Sequence, residues 1–384
     1  MTAYPADKLS RLQLIKEARR WAAHGFITKE QYQSIHEHYR VNFYHPNWMI
    51  RLLLFVAGLF ALLGVTGLLA WPITDFDYIL ISISCIVYGI ASVVFLEAKL
   101  IQENHYKSGI TEAVLYHACG FVLGGIAGLA GYDNPYVVLT ACLIVFTMAA
   151  IRYLDLVTTL ASLASGMYFL FLIGNEQEIQ HGMPFLFLFV FTGIYFAVKK
   201  LQSQARLNCW HNNLVLVKVV SLIIMYASTN NWVVREASIE LLDLSLAEND
   251  ELPFAWVFYG LTVLIPVAYL IIAVRLKDPV MLRVSLLVFA FSVFTFKYYF
   301  IEGHLEWVLL VGGGFLIIIA IAIMRFLKQP QRGFTSKQLL THSWENAQLE
   351  ALTIAQTLGG NQSGIGKPAG GGGESGGGGA STSF

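Results

Sequence analysis

Residues 116–131 read YHACGFVLGGIAGLAG, an apolar run with Gly120, Gly124 and Gly128 at intervals of four and Gly125 beside them. On a helix, residues four apart share a face, so the three glycines form a stripe without side chains. Such a stripe lets a second backbone approach closely. In lipid, where burial from water cannot drive association, that approach is what holds helices together. The stretch therefore reads as the third of about ten membrane spans and the packing centre of a bundle.

Composition agrees. The chain is 56% hydrophobic and 13% charged, against roughly 25% charged residues in soluble domains. Apolar blocks of membrane length run from about Arg51 to Phe326. The expected spans are 50–71, 78–96, 112–130, 135–151, 155–174, 184–198, 211–228, 253–274, 280–300 and 305–327; the fourth, sixth and seventh are short for a bilayer core of ~30 Å. With the N-terminus inside, 22 of the 25 Lys and Arg residues fall on inner segments. Only Arg235 and Lys297 lie outside or at an outer edge, with Lys218 inside a span. That asymmetry is the positive-inside pattern and calls for an even number of spans with both termini cytoplasmic. No charged n-region and small-residue cleavage site opens the chain, so the first span is expected to act as the insertion signal.

The fold class expected is thus all-α: a polytopic transmembrane helix bundle over residues 46–328, preceded by a small cytoplasmic helical hairpin over residues 1–45. In the hairpin, Leu9, Leu12, Ile15 and Trp21 recur at helical spacing, Gly25 sits at a left-handed cap, and Thr28 with Gln31 forms a capping box. A module this small is expected to pack on the membrane domain, on another copy or on a partner. Residues 329–358 are expected to form a cytoplasmic amphipathic helix with a short seam (Leu340, Trp344, Ala347, Ala351, Ile354, Leu358), and residues 359–384 a disordered Gly-rich tail. The outer segment 229–252 is acidic and suits a short surface helix; a divalent-cation site would need converging oxygens that spacing does not show.

The hairpin sequence RRWAAHGFITKEQYQSIHEHY and the closing span pair FKYYFIEGHLEWVLLVGGGFLIIIAIAIMR resemble an uncharacterised bacterial multi-pass membrane family, domain of unknown function 2157. The resemblance covers about 21 residues at the start and 30 near the end. It implies a bacterial cytoplasmic (inner) membrane protein and carries over no catalytic residue.

Chemistry is sparse. No HExxH, GxSxG, P-loop or strand-borne GxGxxG occurs, and His36-Glu37-His38 and Glu302, His304, Glu306 fit no ligand spacing. No catalytic, metal or cofactor residues are assigned, and no nucleic-acid surface. Cys85, Cys119 and Cys142 fall in spans and Cys209 in a loop, so no disulfide framework is implied. Two intramembrane polar residues form the candidate site, His117 and Lys218. For His117 the readings are a hydrogen-bonded packing histidine or a proton relay. For Lys218 they are snorkelling to the inner surface or a functional charge. Glu112 and Asp155 mark inner span starts, where a carboxylate complements the helix N-terminus. Gly64-Val65-Thr66-Gly67 and Pro266 are candidate helix breaks without a matching repeat.

Two functions follow. One is a non-enzymatic membrane scaffold or envelope-associated protein that meets partners, or itself, through residues 7–40 and 336–358. The alternative is a transporter or channel for a neutral or apolar solute.

Overall fold

A computed structural model describes residues 2–300, apart from 24, 71–76, 132–133, 178 and 242–253, together with 313, 314, 317, 318, 321 and 325. It is helical throughout, without a strand among the described residues. Among the described residues, eight helices are long and apolar enough to cross a bilayer, which makes the chain a multi-pass membrane protein.

Two units are distinguished among the described residues: one holds residues 7–41, the other residues 2–6 with 42–299. In the first, α1 (Ala6–Ala23) and α2 (Lys29–His38) form the expected hairpin. Gly25 adopts φ +76°, and the Phe26 amide donates to the Trp21 carbonyl at 2.9 Å, closing the end of α1. At the start of α2 the Gln31 amide donates to Thr28 Oγ1 and the Thr28 amide to Gln31 Oε1, the reciprocal pair read from the sequence. Leu14, Ala18, Trp21, Ile27 and Ile35 close a core between the two helices, with Tyr32 packed against it. The expected seam at 336–358 and the tail lie outside the described residues.

In the second unit, the helices are α3 (Trp48–Ala70), α4 (Tyr78–Phe95), α5 (Ile110–Ala130), α6 (Pro135–Tyr153), α7 (Leu156–Glu176), α8 (Met183–Gln202), α9 (His211–Ala227), α10 (Asn231–Glu240), α11 (Ala255–Leu276) and α12 (Pro279–Phe300). A wider π-helical turn, Leu96–Ile101, extends α4. Nine of these match the first nine expected spans, α10 is the surface helix expected after residue 229, and the tenth span falls almost wholly outside the described residues. Two of the three short spans, the fourth and the sixth, come out longer, while the seventh is matched by the 17 residues of α9. Arg152 belongs to the last turn of α6, Lys199 and Lys200 to that of α8, where cations complement the helix C-terminus. A 3-10 turn from Ala205 to Trp210 leads into α9.

Packing pairs α4 with α5, α6 with α7 and α8 with α9; α5 also holds α3 and α6, and α7 touches α9. The hairpin boundary expected at residue 45 is corrected at both edges. Residues 2–5 and 42–45 belong to the bundle: the Ala3 amide donates to the Arg152 carbonyl at 2.8 Å. Tyr4 packs edge-on against Phe43 and Tyr106, and Tyr44 pairs with His105. Apolar and aromatic side chains beside the first span, spaced too irregularly to show a periodicity, account for this docking.

The glycines of 116–131 divide by face. A Cβ on Gly125 would stand 2.5 Å from the Ser82 carbonyl oxygen, and one on Gly128 2.2 Å from Ser82 Oγ. From the other side, a Cβ on Gly89 would stand 2.9 Å from the Ala118 carbonyl oxygen. Gly125, Gly128 and Gly89 thus set the α4–α5 approach. Gly120 and Gly124 have no described neighbour within 4 Å of such a Cβ. The contact line runs through Ala118, Val122, Gly125 and Gly128 rather than along the expected stripe of fours.

Candidate functional site

Asp278 ends the turn between α11 and α12. Lys277 is left-handed there (φ +52°), and Pro279 occupies the first position of α12. Asp278 Oδ1 accepts from the Val280 and Met281 amides at 3.1 Å each, capping α12. Its other oxygen pairs with Lys218 Nζ from the middle of α9. Burial would raise the Asp278 carboxyl, but the hydrogen bonds from Lys218 and the two amides outweigh it and hold the carboxyl below the ordinary 3.8. Lys218 is only 6% exposed. The lysine ends on the carboxylate of the α11–α12 loop, which the Lys and Arg pattern reads as an inner segment. Asp278 carried no signal in the sequence, being one loop carboxylate 60 residues away.

His117 takes part in a smaller cluster between α3, α4 and α5. Its Nε2 lies 3.2 Å from Thr66 Oγ1 and 3.3 Å from the Tyr88 hydroxyl, and Thr66 Oγ1 also donates to the Leu62 carbonyl at 2.8 Å. The imidazole sits tilted on Phe121, with centroids 4.6 Å apart. Thr66 comes from the Gly64-Val65-Thr66-Gly67 segment, which remains helical within α3. Its hydroxyl serves a helix contact rather than a helix break.

Charges gather where α5 and α7 begin. Glu112 Oε2 accepts from the Gly109 amide and Thr111 Oγ1 at 2.8 Å each, while Oε1 takes Arg51 Nη2 at 2.5 Å. Asp155 caps α7 through the Thr158 amide at 2.8 Å and accepts from the Tyr116 hydroxyl at 3.1 Å. The Asn213 amide donates to the Asp155 carbonyl oxygen at 2.9 Å and to Thr159 Oγ1 at 2.7 Å, tying α9 to this end. Arg152 grips Glu97 with two nitrogens at 2.5 and 2.7 Å, and the Tyr153 hydroxyl adds a third bond at 2.7 Å. Tyr4, Lys107, Glu112, Tyr153 and Asp155 line a void of about 10 Å³, at the lower limit for one water. Burial, then the neighbouring Glu112, pushes the Tyr4 phenol up; burial also pushes Tyr106 up to about 12, against the pull of Arg51.

A neutral network closes the opposite ends of α9, α11 and α12. Asn230 Nδ2 donates to the Tyr226 hydroxyl (2.8 Å) and Thr295 Oγ1 (2.9 Å), and its Oδ1 caps α10 through the Val233 amide. Pro266 has no amide hydrogen to give the Thr262 carbonyl one turn back. Ser292 Oγ supplies the missing bond at 2.7 Å. That partner explains how a proline is held inside α11 without an orphaned carbonyl.

His117 and Lys218 belong to separate clusters, one on α3–α5 and one on α9–α12. Among the described residues no group of three or more His, Cys, Asp or Glu could hold a metal. All four cysteines are free thiols. No family model, curated protein or solved structure matches the chain.

Proposed function

We propose that the protein is a non-enzymatic membrane scaffold of the bacterial cytoplasmic membrane, its bundle carrying the N-terminal hairpin as a docking element for a protein partner. The observation that carries this reading is the hairpin itself. It closes its own core and caps the facing ends of both helices, so its fold does not consume its outer surface. Phe26 is 56% exposed at the turn, with Arg19 and Arg20 exposed on the preceding turn of α1. An exposed aromatic beside arginines is the composition of a binding anchor. The Lys and Arg asymmetry supports placing both termini, and so the hairpin, in the cytoplasm. Membership of the family that the termini resemble belongs to the same proposal.

The test is complementation of a deletion strain by a chain in which residues 8–40 are replaced by a flexible linker. Residues 2–5 and 42–45 are kept because they pack in the bundle. The expected result is normal membrane insertion with loss of complementation, reproduced by Phe26→Asp. Full complementation by the trimmed chain contradicts the scaffold.

A second reading, transport of a neutral or apolar solute, is favoured by Lys218, a buried cation within a span held by the loop carboxylate of Asp278, since charges within the membrane are retained mostly for function. Single cysteines in a cysteine-free parent separate the two. Labelling at Gly124→Cys and Ser221→Cys in intact cells marks a water-filled path and favours transport; labelling confined to the span ends favours the scaffold.

A further inference from the structure

A groove of about 300 Å³ opens beside the start of α3 and α5, lined by Trp48, Arg51, Leu52, Phe55, Glu112 and Tyr116. Its polar part is one guanidinium. Arg51 gives Nη2 to Glu112, and among the described residues no other guanidinium nitrogen is engaged. Glu112 is saturated: its second oxygen takes the Gly109 amide and Thr111 Oγ1, and its side chain is 8% exposed against 41% for Arg51. The carboxylate thus anchors one corner of the fork from behind and leaves the rest turned to the groove. The walls are apolar and aromatic, with Phe55 and Tyr116 in edge contact at 6.0 Å. Trp48, the first residue of α3, is 72% exposed. A tryptophan at a span end marks the headgroup level of a bilayer, so the guanidinium lies at the depth of lipid phosphates and Leu52 and Phe55 at the depth of the first methylenes.

We infer that this groove is a binding site for one phospholipid, its phosphodiester on the free donors of Arg51 and an acyl chain along Leu52 and Phe55. A guanidinium presents paired donors that match two phosphate oxygens, and the low polarity of the surroundings strengthens such a bond. The apolar wall selects a tethered phosphate over a free one.

The test uses the full-length protein in a neutral maltoside detergent, read by native mass spectrometry and thermal unfolding. The probes are dioctanoyl phosphatidylglycerol, dioctanoylglycerol with the same chains and no phosphate, and inorganic phosphate. The phospholipid is expected to give a retained one-to-one adduct and a raised unfolding temperature, with neither effect from the other two. Arg51→Gln is expected to weaken the adduct about tenfold or more, the usual loss for a charge-assisted bond. Leu52→Trp, which fills the groove and leaves Arg51 on Glu112, is expected to abolish it even if Arg51→Gln proves unstable. Adducts of unchanged strength in Leu52→Trp overturn the site, as does the absence of any phospholipid adduct. An equal stabilisation by inorganic phosphate overturns the assignment to lipid.

Discussion

Lys218 in the middle of α9 and Asp278 at the head of α12 form an ion pair across 60 residues of chain, and the same carboxylate caps α12. One side chain therefore both starts a helix and neutralises the cation buried in another. Losing either partner should cost more than losing both. Lys218→Met or Asp278→Asn alone leaves an uncompensated buried group, at a cost of about 3–5 kcal/mol for a buried pair. In Lys218→Met/Asp278→Asn the charges go together, and the double variant is expected to unfold at a higher temperature than the Lys218 single. Additive losses across that cycle would show that the two residues do not interact.

Acid should act through the same pair. The Asp278 carboxyl is held below 3.8 in the folded chain. A depressed carboxyl contributes stability that is fully present above its unfolded value and lost as pH falls through the lower folded value. The unfolding temperature of the wild type is expected to fall below about pH 4, and Asp278→Asn to show a shallower fall over that window. Parallel curves would remove Asp278 from the acid response.

The glycines of α5 should separate by face. Gly125→Ala and Gly128→Ala place a methyl against Ser82 at 2.5 and 2.2 Å and are expected to destabilise the α4–α5 contact by about 1–3 kcal/mol, the usual range for overpacking. Gly120→Ala and Gly124→Ala meet no described neighbour and are expected to be neutral or to gain up to ~1 kcal/mol from helix propensity. Detergent-resistant unfolding of the four variants, measured side by side, checks the ordering.

Pro266 and Ser292 make a conditional pair. Ser292→Ala strands the Thr262 carbonyl and should cost roughly 1–3 kcal/mol. In a Pro266→Ala background the restored amide can take that carbonyl, so the same serine change should cost clearly less. Equal costs in both backgrounds would mean that the serine does not serve the proline.

The architecture was legible before any helix was placed. Apolar blocks of membrane length admit few structures other than helices, because lipid offers no partner for a free amide or carbonyl. The hairpin caps were equally legible, since Thr28, Gln31 and Gly25 act on backbone within a few residues. Carboxylates at the starts of α5 and α7 were legible for the same local reason. Which faces meet is fixed only where the helices pack. A stripe of Gly120, Gly124 and Gly128 is one face of an isolated helix, but α4 packs over Gly125 and Gly128, and the contact with that neighbour selects the face. Asp278 for Lys218, Ser292 for Pro266 and Arg51 for Glu112 are pairings between distant segments. No spacing encodes them, because they arise where helices touch and not along any one helix.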